Sequence, residues 1–336
     1  MSRNDIPQID AADLERLLSP AAAVQVISAA LRDGIDPTRD PDRIIIDVCK
    51  GQLLLMPGEV AERVGIKIIS SAPGNDGTRL PRIQGTFILF DGATLEPILF
   101  IDGIALTTVR TPAVSISGVL PVLTRATTPL KVVVFGTGTQ ARAHVRTVAE
   151  SLVGVRPLDS VTYVSRQQAA RSATGTCELP STTVQIGSVY MNEALAEADL
   201  VVCATPSAVP LFESSVLKNE CVVIAVGSHE PDRRELDGAL LGRGQVIVED
   251  ISTALREAGD VILAIDAGIL VKENLIEMRS VVCGDHILTA DRPVIFKTTG
   301  MAWEDLVIAS HVEILAHQVD SERAGILEES GDRQSR

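Results

Sequence analysis

Two hydrophobic rhythms divide this chain. Over 10–31 apolar residues recur at helical spacing (Leu14, Leu17, Leu18 and Ala21, then Val24, Ile27, Ala30 and Leu31), which predicts one amphipathic helix. From Arg43 the pattern shortens to strand-length runs at 44–48, 53–56, 66–69, 86–90 and 97–101, with Lys50-Gly51 and Asp91-Gly92 as turn signals. No helix-length pattern separates these runs, so they predict a mainly antiparallel sheet or barrel. A helix over 104–123 follows. Beyond Lys131 strands at 132–135, 161–165, 184–186, 200–204, 222–226, 245–248 and 294–296 alternate with helical segments, notably 139–152, 167–173 and 192–198. That alternation predicts an α/β fold with a doubly wound parallel sheet. Helical spacing returns from Glu304 to Ile314, and the polar stretch 324–336 reads as a frayed end.

Composition narrows the picture. The 336 residues suffice for two domains, and 46% are apolar while only 3% are aromatic, so the core is aliphatic, as suits a parallel sheet buried on both faces. The net charge of −14 argues against nucleic acid or an anionic membrane surface as partner. Five cysteines at wide spacing, without C-x-x-C, indicate neither a disulfide framework nor a zinc site, and Cys203 and Cys221 read as core filler. His144, His286, His311 and His317 show no metal-ligand spacing, and His144 reads as packing or surface. No apolar leader opens the sequence, and 261–271 is short and broken by Asp266, so no membrane span and a cytoplasmic location are expected.

The chemistry concentrates at Lys131-Val132-Val133-Val134-Phe135-Gly136-Thr137-Gly138-Thr139-Gln140-Ala141. A strand ends in G-x-G-x-x-A and a helix follows. Gly136 permits the tight turn, Gly138 lets backbone N–H groups approach a pyrophosphate, and Ala141 lets the helix pack closely on the strand. An NAD site carries a carboxylate at the end of the second strand, about 20 residues beyond the glycines. Asp159 falls at that distance but precedes the strand, which instead ends in Ser165-Arg166. Arg166 can pair with a ribose 2′-phosphate and Ser165 can donate to it, which favours NADP(H) over NAD(H). Arg142, one turn into the helix, is a second candidate cation.

Further segments resemble the ornithine cyclodeaminase/mu-crystallin family almost end to end. They are Leu55-Met56-Pro57-Gly58, Gly65-Ile66-Lys67-Ile68, Leu89-Phe90-Asp91, Leu106-Thr107-Thr108-Val109-Arg110-Thr111-Pro112-Ala113, the glycine loop, 198–206 and 296–306. The resemblance implies a Rossmann-type NADP-binding domain over 116–304 and an α+β substrate-binding and dimerisation domain made of 1–115 and 305–336. It also implies a homodimer acting on a small amino- or imino-acid substrate. Arg43, Lys67 and Arg110 would bind the substrate carboxylate. Of these, Lys67 stands in an apolar run where a lone buried ammonium is costly. Thr111, Gly136, Gly138, Thr139, Gln140, Ser165, Arg166, Thr205, Pro206, Gly227 and Gly300 would hold the cofactor.

One departure narrows the reaction. The family's cyclodeaminases carry an aspartate in the loop after the fifth sheet strand, where this chain reads Val226-Gly227-Ser228-His229-Glu230-Pro231. His229 in place of the aspartate resembles the ketimine and pyrroline-2-carboxylate reductases. The leading expectation is therefore NADPH-dependent reduction of a cyclic ketimine carboxylate, with Lys67 or His229 as proton donor. Three alternatives stand beside it: a cyclodeaminase-type lyase, an alanine- or opine-type dehydrogenase, and a non-enzymatic NADPH-dependent binding protein.

Overall fold

The structure, a computed structural model of the chain, describes residues 6–166 and 181–334, with 320 and 322–334 as backbone. The helix read at 167–173 and Cys177 lie outside the described residues. The chain divides into two compact units, one of residues 1–26, 40–107 and 302–336, the other of 27–39 and 108–301.

The first unit is built on an open six-stranded sheet. Its strands are β1 (Gln8–Ile9), β2 (Ile44–Val48), β3 (Gly51–Val60), β4 (Arg63–Ser71), β5 (Ile83–Asp91) and β6 (Pro97–Asp102). They lie in the order β1-β6-β5-β4-β3-β2, antiparallel except for the parallel β1–β6 pair. The helix predicted over 10–31 is two helices, α1 (Ala11–Leu17) and α2 (Pro20–Arg32). The break has a local cause: the Ser19 hydroxyl caps Ala22 N–H at 3.2 Å and Pro20 opens the second helix, where its missing N–H is no loss. Asp10 and Asp13 form a capping box at the start of α1.

The helix α3 (Gly103–Leu123) carries the chain from the first unit into the second. It is long and apolar enough to cross a membrane, but most of it is buried inside the chain, as a core helix is. Asp102 caps it, accepting from Ile104 and Ala105 N–H at 2.9 Å each.

The second unit holds the parallel sheet: β7 (Leu130–Phe135), β8 (Leu158–Ser165), β9 (Ser181–Gln185), β10 (Leu200–Cys203), β11 (Val222–Ala225), β12 (Gln245–Val248), β13 (Leu275–Glu277) and β14 (Val294–Lys297). The order is β13-β12-β14-β11-β10-β7-β8-β9, and every described pairing is parallel. This is the Rossmann-type doubly wound sheet, with its switch point between β7 and β10. Helices α4 (Thr139–Ser151), α5 (Val189–Glu197), α6 (Gly238–Arg243), α7 (Ile251–Glu257), α8 (Gly259–Asp266) and α9 (Met278–Cys283) connect the strands. Strands β10, β11 and β12 are buried throughout, which explains the unbroken apolar runs of β10 and β11 and of 246–248 in β12. Three residues of β13 are too few for a periodicity to show. Cys203 and Cys221 are buried thiols of this core, and burial pushes Cys221 up to about 12.

The final helix, α10 (Ala302–Gln334), returns to the first unit. It continues through the stretch read as frayed, where 321–334 contains no proline to end it.

Candidate active site

The glycine loop follows β7 at the switch point, where ligands of open α/β sheets bind. Gly136 has φ +104°, and a side chain there would meet the Ala204 carbonyl oxygen at 2.8 Å. Gly138 is the N-cap of α4 and makes no side-chain cap, so the first N–H groups of the helix remain available to an anion. A Cβ on Gly138 would meet nothing within 4 Å, so a phosphate can approach the backbone. Thr139 is exposed beside it, and Gln140 is half-buried with its carbonyl accepting from His144 Nδ1 at 2.8 Å. These residues fit a dinucleotide pyrophosphate.

Ser165 and the exposed Arg166 stand at the end of β8, the strand beside β7. Arg142 is committed elsewhere: its Nε and Nη2 donate to the Thr137 carbonyl at 3.0 and 2.8 Å, bracing the glycine loop. His144, read as packing or surface, is fully buried, with Nε2 3.1 Å from Ser115 Oγ on α3. Burial lowers its pKa from 6.5 to about 4, so the ring is neutral.

Thr205-Pro206, Gly227 and His229 follow β10 and β11. A buried carboxylate that the pattern did not single out binds their loops together. Glu235 Oε1 accepts from Thr205 N–H and Oγ1–H, at 2.8 Å each, and Oε2 accepts from Gly227 N–H at 2.7 Å. Asp260, at the start of α8, accepts from the N–H groups of Glu235 and Leu236 at 2.8 Å each. Lys297, closing β14, lies 3.0 Å from Asp260 and donates to the Ser228 carbonyl at 2.6 Å. All three charged side chains are buried. Burial pushes the Glu235 carboxyl up to about 7, against the opposing pull of Lys297. His229, next to Ser228, is exposed.

Gly300 lies in a turn held by a second buried carboxylate. Glu249, directly after β12, accepts from Thr298 Oγ1–H, from Thr299 N–H at 3.0 Å and from Gly300 N–H at 3.2 Å. Gly300 has φ +81°, and a Cβ there would meet the Arg110 guanidinium nitrogens at 2.6 and 2.7 Å. Arg110, on α3, is therefore packed against the Gly300 turn. Beside it, the Thr111 hydroxyl is buried without a hydrogen-bond partner. An orphaned hydroxyl is costly unless a ligand completes it, which fits the expected cofactor contact.

Each of these residues belongs to the second unit, where Gly136, Gly138, Ser165, Arg166, Thr205, Pro206, Gly227 and Gly300 lie at or beyond the carboxyl ends of parallel strands. Arg43 and Lys67 belong to the first. Lys67 is opposite Met56 on β3, and Ile44 is opposite Leu55, so extending that register by one sets Arg43 in line with Met56 and Lys67. Two interstrand spacings, roughly 10 Å, separate their backbone positions. Arg43 is half-buried, whereas Lys67 is completely buried and ion-paired to Asp305, on the first turn of α10, at 2.5 Å. No group of three or more His, Cys, Asp or Glu side chains able to hold a metal occurs among the described residues.

The missed residues, Glu235, Glu249, Asp260, Lys297 and Asp305, act through partners distant in sequence. Two carried a signal of the kind that marked Lys67. Lys297 ends the apolar run Val294-Ile295-Phe296, and Glu249 directly follows Val246-Ile247-Val248.

The family model of the ornithine cyclodeaminase/mu-crystallin family matches residues 7–318. A Delta(1)-pyrroline-2-carboxylate reductase of Bacillus thuringiensis subsp. konkukian is 30% identical over 271 residues, 78% of this chain and 81% of that protein. A Delta(1)-pyrroline-2-carboxylate/Delta(1)-piperideine-2-carboxylate reductase of Azospirillum brasilense is 29% identical over 307 residues, 90% of this chain and 93% of that protein. Among solved structures, Thermococcus litoralis Delta(1)-pyrroline-2-carboxylate reductase, in complex with NADH and L-proline, superposes with a TM-score of 0.80 at 23% identity, covering 94% and 98% of the two chains. Sequence, fold and the glycine loop at the switch point agree: this chain belongs to the ornithine cyclodeaminase/mu-crystallin family.

Proposed function

We propose that this protein is a nicotinamide-dependent oxidoreductase acting on C=N bonds, and that it reduces a cyclic ketimine carboxylate of the pyrroline-2-carboxylate or piperideine-2-carboxylate type to the cyclic amino acid. The observation that carries this reading is the loop after β11. It presents an exposed histidine, His229, where a cyclodeaminase has an aspartate, and the acid that follows it in sequence, Glu230, lies 3.9 Å from Arg233. The reductase names of the two relatives support the same choice.

The reaction asks little acid–base work of the chain. A bound nicotinamide dinucleotide supplies the hydride. A protonated ketimine is already electrophilic at the C=N carbon, and the residues must bind its carboxylate, align it and hold a proton at the nitrogen. Arg43, Lys67 and Arg110 are the cations we assign to the carboxylate, and Lys67 and His229 the groups able to serve the imine proton. The Glu235–Asp260–Lys297 network fixes the loops that carry Thr205, Gly227 and His229. That is the preorganisation hydride transfer requires.

NADPH is the cofactor we favour, because β8 ends in Ser165-Arg166 with no carboxylate to repel a 2′-phosphate. A homodimer is supported by β2, an edge strand whose Ile44, Ile45, Ile46 and Val48 are all 42–53% exposed, an apolar run that a second copy would cover.

The test is NADPH oxidation, followed at the nicotinamide absorbance, with each of the two cyclic imines supplied separately and NADH in parallel. Turnover with a preference for NADPH supports both assignments. Binding of NADPH without turnover of either imine refutes the ketimine assignment, and equal use of NADH refutes the role of Arg166.

A further inference from the structure

Asp305 and Thr107, from distant parts of the first unit, both accept from Lys67. Its Nζ lies 2.5 Å from Asp305 Oδ2, and both side chains are entirely removed from solvent. Thr107 Oγ1 is 3.4 Å away. That hydroxyl donates its proton to the Gly103 carbonyl at 2.7 Å, so it turns a lone pair toward the ammonium. A buried amine with no such partners is driven to its neutral form; a carboxylate in contact and an accepting hydroxyl both work the other way.

Asp305 suits this task by position. It sits in the first turn of α10, where the helix macrodipole favours a negative charge. The N-terminus of α10 has its own acceptor, because Asp40 Oδ2 takes the Ala302 N–H at 2.6 Å. The Asp305 carboxylate accepts from Lys67 Nζ. The other charged residue of that turn, Glu304, is also a buried acid.

We infer that Asp305 is a positioning residue that fixes Lys67 as an ammonium and sets the direction of its Nζ, so that Lys67 meets the substrate as a cation and proton donor and never as a free amine. The inference rests on the reductase reading above. It deepens that reading, because reduction consumes a proton at the imine nitrogen and benefits from an anchored carboxylate, whereas a free amine would add to the C=N carbon.

The experiment compares wild type, Asp305→Asn, Asp305→Glu and the double variant Lys67→Met/Asp305→Leu in the full-length protein. Two readouts are taken: kcat/KM for pyrroline-2-carboxylate from pH 6 to 9, and the 15N shift of Lys67 Nζ, identified by its loss in Lys67→Met. In wild type, Nζ should report ammonium across the range. In Asp305→Asn the ammonium-to-amine transition should move down by at least one pH unit. The alkaline limb of kcat/KM should move with it, leaving at least tenfold less activity at pH 8 than at pH 6 relative to wild type. Asp305→Glu should restore most of the profile. The double variant replaces the buried pair by apolar groups, which a fold tolerates better than one orphaned charge, and should be folded yet at least a hundredfold slower. A wild-type-like pH profile in folded Asp305→Asn, or near-normal turnover in the double variant, overturns the inference. If wild type turns over no imino acid the reductase reading falls, while the Nζ shift still decides whether Asp305 holds the charge.

Discussion

Replacing Gly300 with alanine tests whether the second unit's turn geometry sets the place of Arg110. The backbone there has φ +81°, a left-handed conformation that costs a non-glycine residue about 1–2 kcal/mol. The new methyl would also meet the Arg110 guanidinium nitrogens at 2.6 and 2.7 Å, well inside ordinary contact. The turn backbone cannot give way easily, because Glu249 holds Thr299 and Gly300 by their N–H groups. The mobile end of Arg110 must therefore retreat by most of an ångström. A charge-assisted pair with a carboxylate is worth about 1.5–3 kcal/mol and depends on alignment, so KM for the imino acid should rise about ten- to a hundredfold. Stability should fall only by the about 1–2 kcal/mol of backbone strain. Steady-state kinetics with both substrates, alongside urea unfolding, separates the two effects. Adding Gly300→Ala to an Arg110→Ala background makes the test strict. There the stability loss should remain and the further rise in KM should vanish, as expected of two changes acting through one contact. An unchanged KM in folded Gly300→Ala, or an undiminished rise in the Arg110→Ala background, would refute the reasoning.

Arg166→Ala should raise KM for NADPH by about tenfold or more and leave KM for NADH nearly unchanged, since only a 2′-phosphate contact is lost; equal losses for both cofactors would remove Arg166 from the site. His144 titrates at about 4 in the folded chain against 6.5 as a free side chain, so the stability it contributes is full above pH 6.5 and lost as pH falls toward 4, about 2 kcal/mol of it by pH 5. Unfolding of wild type and His144→Gln at pH 7.5 and 5 should show that loss in wild type alone. Glu235 has the opposite sign: its folded pKa is raised from 4.5 to about 7, so its contribution is full below pH 4.5 and lost as pH rises through 7. The advantage of wild type over Glu235→Gln should thus shrink by roughly 2–3 kcal/mol between pH 5 and 8, and a constant difference would show that Glu235 stays ionised throughout. Ile45→Asp places a charge on the exposed apolar edge strand and should shift sedimentation toward monomer, whereas an unchanged assembly would exclude β2 from the interface.

What could be read from the sequence divides along a physical line. The nucleotide loop is legible because its work is done by backbone, so Gly136, Gly138 and Ala141 declare themselves by what they lack. The parallel sheet is legible because burial on both faces leaves unbroken apolar runs at β10 and β11. The break between α1 and α2 was legible too, in Ser19-Pro20, but a continuous apolar stripe outweighed two residues of capping chemistry.

The buried charges follow another logic, because each is defined by a partner the chain supplies elsewhere. Glu235 reaches 30 residues back to Thr205, Glu249 reaches 51 residues on to Gly300, and Lys67 reaches 238 residues on to Asp305. No local pattern encodes such pairings. A local pattern can only show that a partner must exist, because an isolated charge in an apolar run is too costly to leave alone. That test marked Lys67 and applies with equal force to Lys297 and Glu249. It fails for Asp305, since an aspartate in the first turn of a helix is favoured by the macrodipole with or without a cation to hold. A residue with a sufficient local reason for its place conceals any distant role. The same helix-terminal preference that hides Asp305 in the sequence sets its carboxylate against Lys67 in the fold.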